Sequence, residues 1–118
     1  MKNSILYVQT SDTPERQYSP LILAQTARAM DIKAMVYYLG TGLKVLNPEI
    51  AKGIKFGEFP SIYELLKQVI DSGIEVYACK ASMKLLGVDN IQLLPGIKIV
   101  GAATLNDLAL DARATMWF

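Results

Sequence analysis

The sequence predicts an α/β fold in which helices cover both faces of a mainly parallel sheet. Short apolar runs rich in β-branched and aromatic residues alternate along the chain with segments of helical periodicity. Strands that alternate with helices favour parallel pairing and right-handed crossovers. The chain has 118 residues, the usual length of one domain, so we expect a single domain over residues 1–118.

Two strands and one helix are predicted before residue 40. Residues 4–10 form a short apolar run with β-branched and aromatic side chains, which is typical of a buried strand. Ser19 followed by Pro20 predicts an N-cap with proline at the first helical position, and this helix extends to about Met30. Residues 33–39 are the second predicted strand.

The middle of the chain contains one weak and one strong helical pattern. A proline and a glycine interrupt the weak pattern of residues 43–54, which we interpret as a broken helix. Ser61 and Glu64 form a capping box ahead of an apolar stripe with helical spacing. Gly73 follows that stripe at the position where a glycine commonly ends a helix, so a complete helix is predicted between them.

The last third of the chain predicts two short helices and the remaining strands. Residues 80–86 leave room for two helical turns. Thr104 and Asp107 resemble a capping pair ahead of an apolar face, which predicts a helix over residues 104–112. The remaining strands are predicted over residues 74–79, 97–100 and 114–118.

Charge and hydropathy argue against nucleic-acid and membrane partners. Twelve Lys and Arg residues against eleven Asp and Glu residues give a net charge of +1, so no broad electrostatic field attracts phosphates or acidic lipids. The longest uncharged stretch, residues 17–27, is shorter than the roughly 20 apolar residues that cross a bilayer. The amino terminus leads into a strand and has no secretory pattern. We therefore expect a cytoplasmic protein with no nucleic-acid or membrane partner.

The residue types that the chain lacks limit its chemistry further. It has no histidine and one cysteine, so it cannot build a usual structural zinc site, a Ser-His-Asp triad, a Cys-His pair or an intrachain disulfide. We expect no metal and no cofactor. Apolar residues make up 52% of the chain and charged residues 19%, which is more apolar surface than a small domain hides alone. The composition therefore predicts a homo-oligomer.

The carboxyl ends of parallel strands are the usual ligand sites of α/β folds, and Cys79 lies at one of them. A thiol at a helix N-terminus is exposed to the positive end of the helix dipole, and Lys80 adds a nearby cation. Both effects favour the thiolate, which is the form that attacks sulfur. Ser82, on the first turn, could donate to a bound group. The alternatives are a small apolar core cysteine and a serine that caps the helix or faces solvent.

Two loops are predicted to form the wall of a pocket at this cysteine. Their candidate residues are Asp12, Thr13, Arg16, Gly40, Thr41 and Gly42. Arg16 could hold an anion beside the thiol, or it could be a solvated loop charge. The glycine turn resembles the opening of a dinucleotide-binding fingerprint but lacks its third glycine. A tight turn that requires positive φ explains both glycines without a ligand.

Several motifs, taken in order, resemble the DsrE/DsrF-like family of small sulfur-relay proteins. They are Thr13-Pro-Glu-Arg16 before an Ala-rich helix, Gly42 with Val45-Leu46, Cys79-Lys-Ala-Ser-Met83 with Gly87, Leu94-Pro-Gly-Ile97, and Gly101-Ala-Ala-Thr-Leu105. The resemblance spans almost the whole chain. It implies a flavodoxin-like, three-layer α/β/α subunit with a five-stranded parallel sheet, assembled into trimers or hexamers.

The resemblance also implies an activity. In sulfur-relay members a cysteine after the third strand carries sulfur as a persulfide between partner proteins, and Cys79 matches that position. The chain would then be a sulfurtransferase-type carrier, with a sulfur donor and a sulfur acceptor as partner proteins. Because it has no second cysteine, discharge needs an external thiol. The alternatives are a module that binds a small anion or nucleotide without a covalent step, and a structural subunit without activity.

Overall fold

The centre of the molecule is a five-stranded parallel sheet. The computed structural model describes residues 3–88 and 90–118. Residues 1 and 2, where the prediction about a secretory pattern begins, lie outside the described residues. The strands run in the order β4-β3-β2-β1-β5, and every neighbouring pair is parallel. Their bounds are β1 (Ser4–Gln9), β2 (Lys33–Tyr38), β3 (Glu75–Cys79), β4 (Lys98–Val100) and β5 (Ala114–Trp117). The predicted α/β fold is confirmed.

Helices fill the connections between the strands. In the described ranges they are α1 (Tyr18–Ala29), α2 (Pro48–Lys52), α3 (Ile62–Asp71), α4 (Lys80–Leu85) and α5 (Ala102–Asp111), with 3-10 segments at Pro14–Arg16 and Gly40–Leu46. The broken helix predicted near Pro48 is therefore a 3-10 segment followed by α2. The break falls at Asn47, whose side chain accepts hydrogen bonds from the amides of Glu49 and Ile50. None of these helices is long and apolar enough to cross a bilayer.

The ends of α3 follow the predicted pattern closely. Ser61 Oγ accepts a hydrogen bond from the amide of Glu64 at 3.2 Å, which satisfies one of the free amides of the first turn. After the helix, Gly73 takes a φ of +91°, a conformation that favours glycine. A serine and a glycine at the predicted spacing therefore set both ends of this helix.

Two other N-cap predictions are wrong. α1 begins at Tyr18 and its N-cap residue is Gln17, so Ser19 lies inside the first turn. The 3-10 segment at Pro14–Arg16 runs directly into α1 and starts the helical conformation before the serine is reached. α5 begins at Ala102, which places Thr104 inside the helix.

The early start of α5 has a backbone cause. The chain leaves β4 in an extended conformation at Gly101, with φ −85° and ψ 175°, and enters the helix at the next residue. The carbonyl of Gly101 then accepts from the amide of Thr104 at 3.2 Å. Backbone groups make this start without a side-chain cap, so the Thr104 and Asp107 pair is not used as one.

The two faces of the sheet carry unequal layers. Among the described residues, one face packs against α1, α2 and α3, together with Met83 of α4, in a cluster of 22 buried residues, and we call it the α1–α3 face. The other packs against α5 alone in a cluster of six buried residues, and we call it the α5 face. The six are Leu6, Val8, Met35, Tyr37, Tyr77 and Cys79. Because side chains alternate along a strand, adjacent residues such as Tyr37 and Tyr38 lie in different clusters.

Candidate functional site

All five strands are parallel, so their carboxyl ends lie at the same edge of the sheet. The residues that end or follow β3, β4 and β5 at this edge are Cys79, Gly101 and Phe118. Hydrogen bonds join the loops there: both the amide and the hydroxyl of Thr10 donate to the carbonyl of Phe118, at 2.8 and 2.6 Å. The hydroxyl of Thr41 donates to the carbonyl of Thr10 at 3.2 Å. The edge is therefore a connected surface of loops.

Cys79 is the last residue of β3 and the residue directly before α4. Its side chain belongs to the α5 face, and its register partner on β4 is Val100. Only 2% of the residue is exposed. In this conformation the thiol is thus covered by protein, although it lies at the edge where the loops meet.

Ser82 lies one turn after Cys79 and is 5% exposed, so it does not face solvent. Its Oγ accepts a hydrogen bond from the amide of Gly40 at 2.8 Å, which ties α4 to the turn after β2. Because the oxygen is occupied as an acceptor, the hydroxyl proton is free to point toward the sulfur. The position predicted for Ser82 beside the thiol is compatible with this arrangement.

Tyr37 is a residue of this site that the sequence reasoning missed. Its ring stacks on that of Tyr77, its partner in the neighbouring strand, with centroids 6.1 Å apart and 27° between the planes. Its hydroxyl donates to the carbonyl of Gly101 at 3.2 Å. Period-two alternation along β3 places Tyr77 on the same face as Cys79, but only the register between β2 and β3 places Tyr37 there as well.

The surroundings of Cys79 favour its ionised form. Burial raises the pKa of the thiol, but donation to the thiolate by the hydroxyl and amide of Ser82, the hydroxyl of Tyr37 and the amide of Ala81 outweighs burial and leaves the pKa below its usual value. Burial also raises the pKa of Tyr37, and the adjacent thiolate raises it further. Tyr37 therefore stays neutral and keeps its proton for donation.

The predicted cation after Cys79 and the predicted residues of the loop after β1 face solvent. Lys80, Asp12, Thr13 and Arg16 are all exposed. Across residues 3–88 and 90–118, no ion pair or hydrogen bond joins the side chain of Lys80 or Arg16 to Cys79. Neutral donors, and not these cations, are therefore the groups that lower the pKa of the thiol.

Two buried glutamines, also missed from the sequence, hold the loop after β1. Gln9 Nε2 donates to the carbonyl of Arg16 at 2.8 Å. Gln17 Nε2 donates to the carbonyls of Ser11 and Thr13, at 2.7 and 3.0 Å. The loop is thus fixed through its backbone, while the side chain of Arg16 remains exposed.

The two glycines of the turn after β2 are needed for different reasons. Gly40 has a φ of +61°, as predicted. Gly42 does not have a positive φ, so that part of the prediction is wrong; instead, a Cβ there would approach the carbonyl oxygen of Gln9 to 2.7 Å. Thr41, between them, is exposed. Close contact with β1 therefore explains Gly42 without a bound phosphate.

Comparison with solved structures shows the same fold in other proteins. The ychN protein from E. coli superimposes with a TM-score of 0.79 over 100% of both chains, at 19% identity. MTH1491 from Methanobacterium thermoautotrophicum, a protein of unknown function, gives a TM-score of 0.76 over 100% of both chains, at 15% identity. At these identities the likeness concerns the fold alone.

Comparison of sequences finds uncharacterized archaeal relatives. MJ0760 of Methanocaldococcus jannaschii is 24% identical over 98% of this chain, which spans only 43% of that protein's length. MJ0989 of the same organism is 32% identical over 92% of this chain and 89% of that protein. Residues 3–118 match the DsrE/DsrF-like family, and the chain therefore belongs to that family.

Proposed function

We propose that this protein is a persulfide carrier in which Cys79 receives sulfane sulfur from one protein and passes it to another. The observation that supports this most is the set of hydrogen-bond donors around the sulfur, which lowers the pKa of the thiol in spite of burial. The family supports a role of the sulfur-relay type. A reducing compartment such as the cytoplasm keeps a lone thiol free for this chemistry.

Loading of the carrier is a thiolate exchange. The Cys79 thiolate attacks the outer sulfur of a donor persulfide, R–S–SH, and a new S–S bond forms at Cys79. The S–S bond of the donor breaks, and R–S⁻ leaves with the electron pair. Unloading is the same exchange with an external thiolate, and Cys79 is then the leaving group. Neither step needs an oxidant or reductant, because the transferred sulfur keeps its oxidation state.

Access to the sulfur requires α5 to move, since Cys79 is buried on the face of the sheet that α5 covers. α5 has ten residues and buries none of them, whereas α3 also has ten residues and buries four. A helix without buried side chains opens at a low free-energy cost. Displacement of α5 would present the sulfur to a partner protein.

The test is a sulfur-loading assay followed by intact-mass measurement. Wild type treated with a small-molecule persulfide should gain one sulfur atom that dithiothreitol removes. Cys79→Ser should gain none, because the chain has no other cysteine. The proposal is wrong if wild type gains no more removable sulfur than Cys79→Ser.

The same proposal includes a homo-oligomer, a trimer or hexamer as the family resemblance implies, together with sulfur donor and acceptor proteins. The α5 face supports this, because α5 buries none of its residues. On and beside this helix, Leu110 is 84% exposed and Trp117 is 53% exposed. Light scattering should give a multiple of the chain mass, and a monomer mass would contradict the assembly.

A further inference from the structure

The side chain of Tyr37 lies across β3. Tyr37 belongs to β2 and its hydroxyl bonds to Gly101, which follows β4, so β3 lies between the two. Neighbouring strands are about 4.8 Å apart, so β2 and β4 are separated by roughly 10 Å. The hydroxyl can reach Gly101 only by passing over the α5 face of β3, where the ring stacks on Tyr77.

The path of this side chain brings its hydroxyl beside Cys79. Cys79 is two residues beyond Tyr77 and therefore on the same face of β3. Its register partner is Val100, the residue directly before Gly101. The hydrogen bond between Tyr37 and Gly101 thus runs alongside the sulfur.

That hydrogen bond is easily exchanged. Its length of 3.2 Å exceeds the roughly 2.8 Å that hydroxyl–oxygen bonds prefer. The carbonyl of Gly101 also accepts from the amide of Thr104 at 3.2 Å. The carbonyl therefore keeps a partner when the tyrosine leaves, and no buried acceptor is stranded.

We infer that Tyr37 is a switching donor: its hydroxyl bonds to Gly101 while Cys79 is protonated and turns to the sulfur when Cys79 ionises. The role in transfer rests on the carrier function proposed above. The same bond stabilises Cys79 as the nucleophile during loading and as the leaving group during unloading. Ser82 supplies a second donor from α4, whereas Tyr37 supplies its donor from the sheet itself.

The other titratable groups near this face are already engaged or exposed. Burial and the adjacent carboxylate of Glu75 raise the pKa of Tyr77 to about 12, and Glu75 is paired with Lys98 at 2.7 Å and with Lys33 at 3.8 Å. Lys80 at the start of α4 is exposed. α5 and the residue directly after it contribute apolar contacts, through Leu105, Leu108, Ala109 and Ala112.

The test compares two single-hydroxyl deletions on adjacent residues. Tyr37→Phe keeps the ring and its stacking but removes the donor. The absorbance of the Cys79 thiolate is measured against pH for each variant. The absorbance of the same variant that also carries Cys79→Ser is subtracted. This measurement needs no thiol reagent, so burial of the sulfur does not affect it. Tyr37→Phe should raise the pKa of Cys79, reduce the thiolate present at neutral pH about tenfold, and slow sulfur transfer to an external thiol.

Tyr38→Phe is the matched control. Its hydroxyl lies in the α1–α3 cluster and has no hydrogen-bond partner among the described residues, so its removal should leave the ionisation of Cys79 unchanged. An unchanged ionisation curve in Tyr37→Phe would overturn the inference, whether or not the protein carries sulfur. If Tyr37→Phe shifts the ionisation curve of Cys79 but wild type never loads sulfur, Tyr37 is a hydrogen-bond donor to the thiolate and the proposed persulfide-carrier function is wrong.

A measurement on the wild-type side chain removes dependence on the variant's folding. The NMR shift of the ring carbon that bears the Tyr37 hydroxyl should change as Cys79 ionises. The same signal in Cys79→Ser should stay constant over that pH range. A signal that is constant in both proteins would contradict the exchange of partners.

Discussion

Tyr37 and Tyr38 are neighbours in sequence, and comparison of their surroundings separates the two faces of the sheet. Tyr38 is completely buried in the larger cluster, and its hydroxyl has no partner among the described residues. Tyr37 is buried as deeply, yet its hydroxyl bonds to Gly101 beside Cys79. Equal burial therefore accompanies different roles: packing on the α1–α3 face and polar contact on the α5 face.

The unequal clusters indicate where the folding free energy comes from. With 22 buried residues against six, the α1–α3 face removes much more apolar surface from water. The α5 face contains the sulfur and its tyrosine donor beneath a helix that buries none of its own residues. Stability and candidate chemistry are thus concentrated on opposite faces of one sheet.

Matched leucine truncations should give the largest difference between the faces. Leu66→Ala removes a fully buried side chain of α3 and should lower the free energy of unfolding by about 3 kcal/mol. Leu108→Ala removes a half-buried side chain of α5 and should cost less than about 1 kcal/mol. Urea denaturation at one fixed protein concentration measures both. Equal losses would mean that the two faces contribute alike.

Two glycines at the candidate site's edge should respond differently to alanine. Gly42→Ala places a Cβ 2.7 Å from the carbonyl oxygen of Gln9 and should destabilise the fold by roughly 2 kcal/mol. Gly101→Ala meets no atom within 4 Å and has a negative φ, so it should change stability little. Thermal unfolding of the two variants compares them directly. A well-tolerated Gly42→Ala would refute the close-contact explanation of that glycine.

Replacement of serine by alanine should lower the free energy of unfolding at the N-cap of α3 but not at Ser19, which does not cap α1. Ser61→Ala removes the oxygen that accepts from Glu64 and should cost about 1 kcal/mol. Ser19→Ala alters an exposed residue inside the first turn of α1 and should have almost no effect. Chemical denaturation measures both. A large loss in Ser19→Ala would restore the original cap assignment.

The smallest expected effect is a pH dependence of stability due to Cys79. Burial raises the pKa of the thiol and donated hydrogen bonds more than compensate, so the folded-state pKa lies below the unfolded-state value. The folded chain therefore loses this proton at lower pH than the unfolded chain. The stability advantage of wild type over Cys79→Ser should grow as pH rises through the folded-state pKa, and become constant above the unfolded-state pKa. Denaturation curves at several pH values measure it, and a pH-independent difference would contradict the lowered pKa.

The fold could be predicted from sequence because its signals are local. Strand-like runs alternate with helical periodicity, and Ser61 and Gly73 mark the ends of α3 within a few residues. The caps predicted at Ser19 and Thr104 were wrong because both helices begin earlier in the chain. A 3-10 segment leads directly into α1 before Ser19, and α5 begins directly after the extended residue Gly101. The strand order depends on long-range pairing, which no local pattern contains.

The candidate site was only partly predictable for the same reason. Cys79 and Ser82 were found because a strand end and a helix start are adjacent in sequence. Tyr37 was missed because nothing local distinguishes it from Tyr38; only the register with β3 and the position of Gly101 do so. The buried Gln9 likewise acts through a loop seven residues away.

The most direct test compares the pKa of the one cysteine in the folded protein and in the unfolded chain. Alkylation rates measured against pH, once in buffer and once in concentrated urea, give the pKa of Cys79 in each state, because no other thiol is present. We predict a lower pKa of Cys79 in the folded protein than in the unfolded chain. A folded-state pKa equal to or above the unfolded value would make Cys79 an ordinary buried core residue.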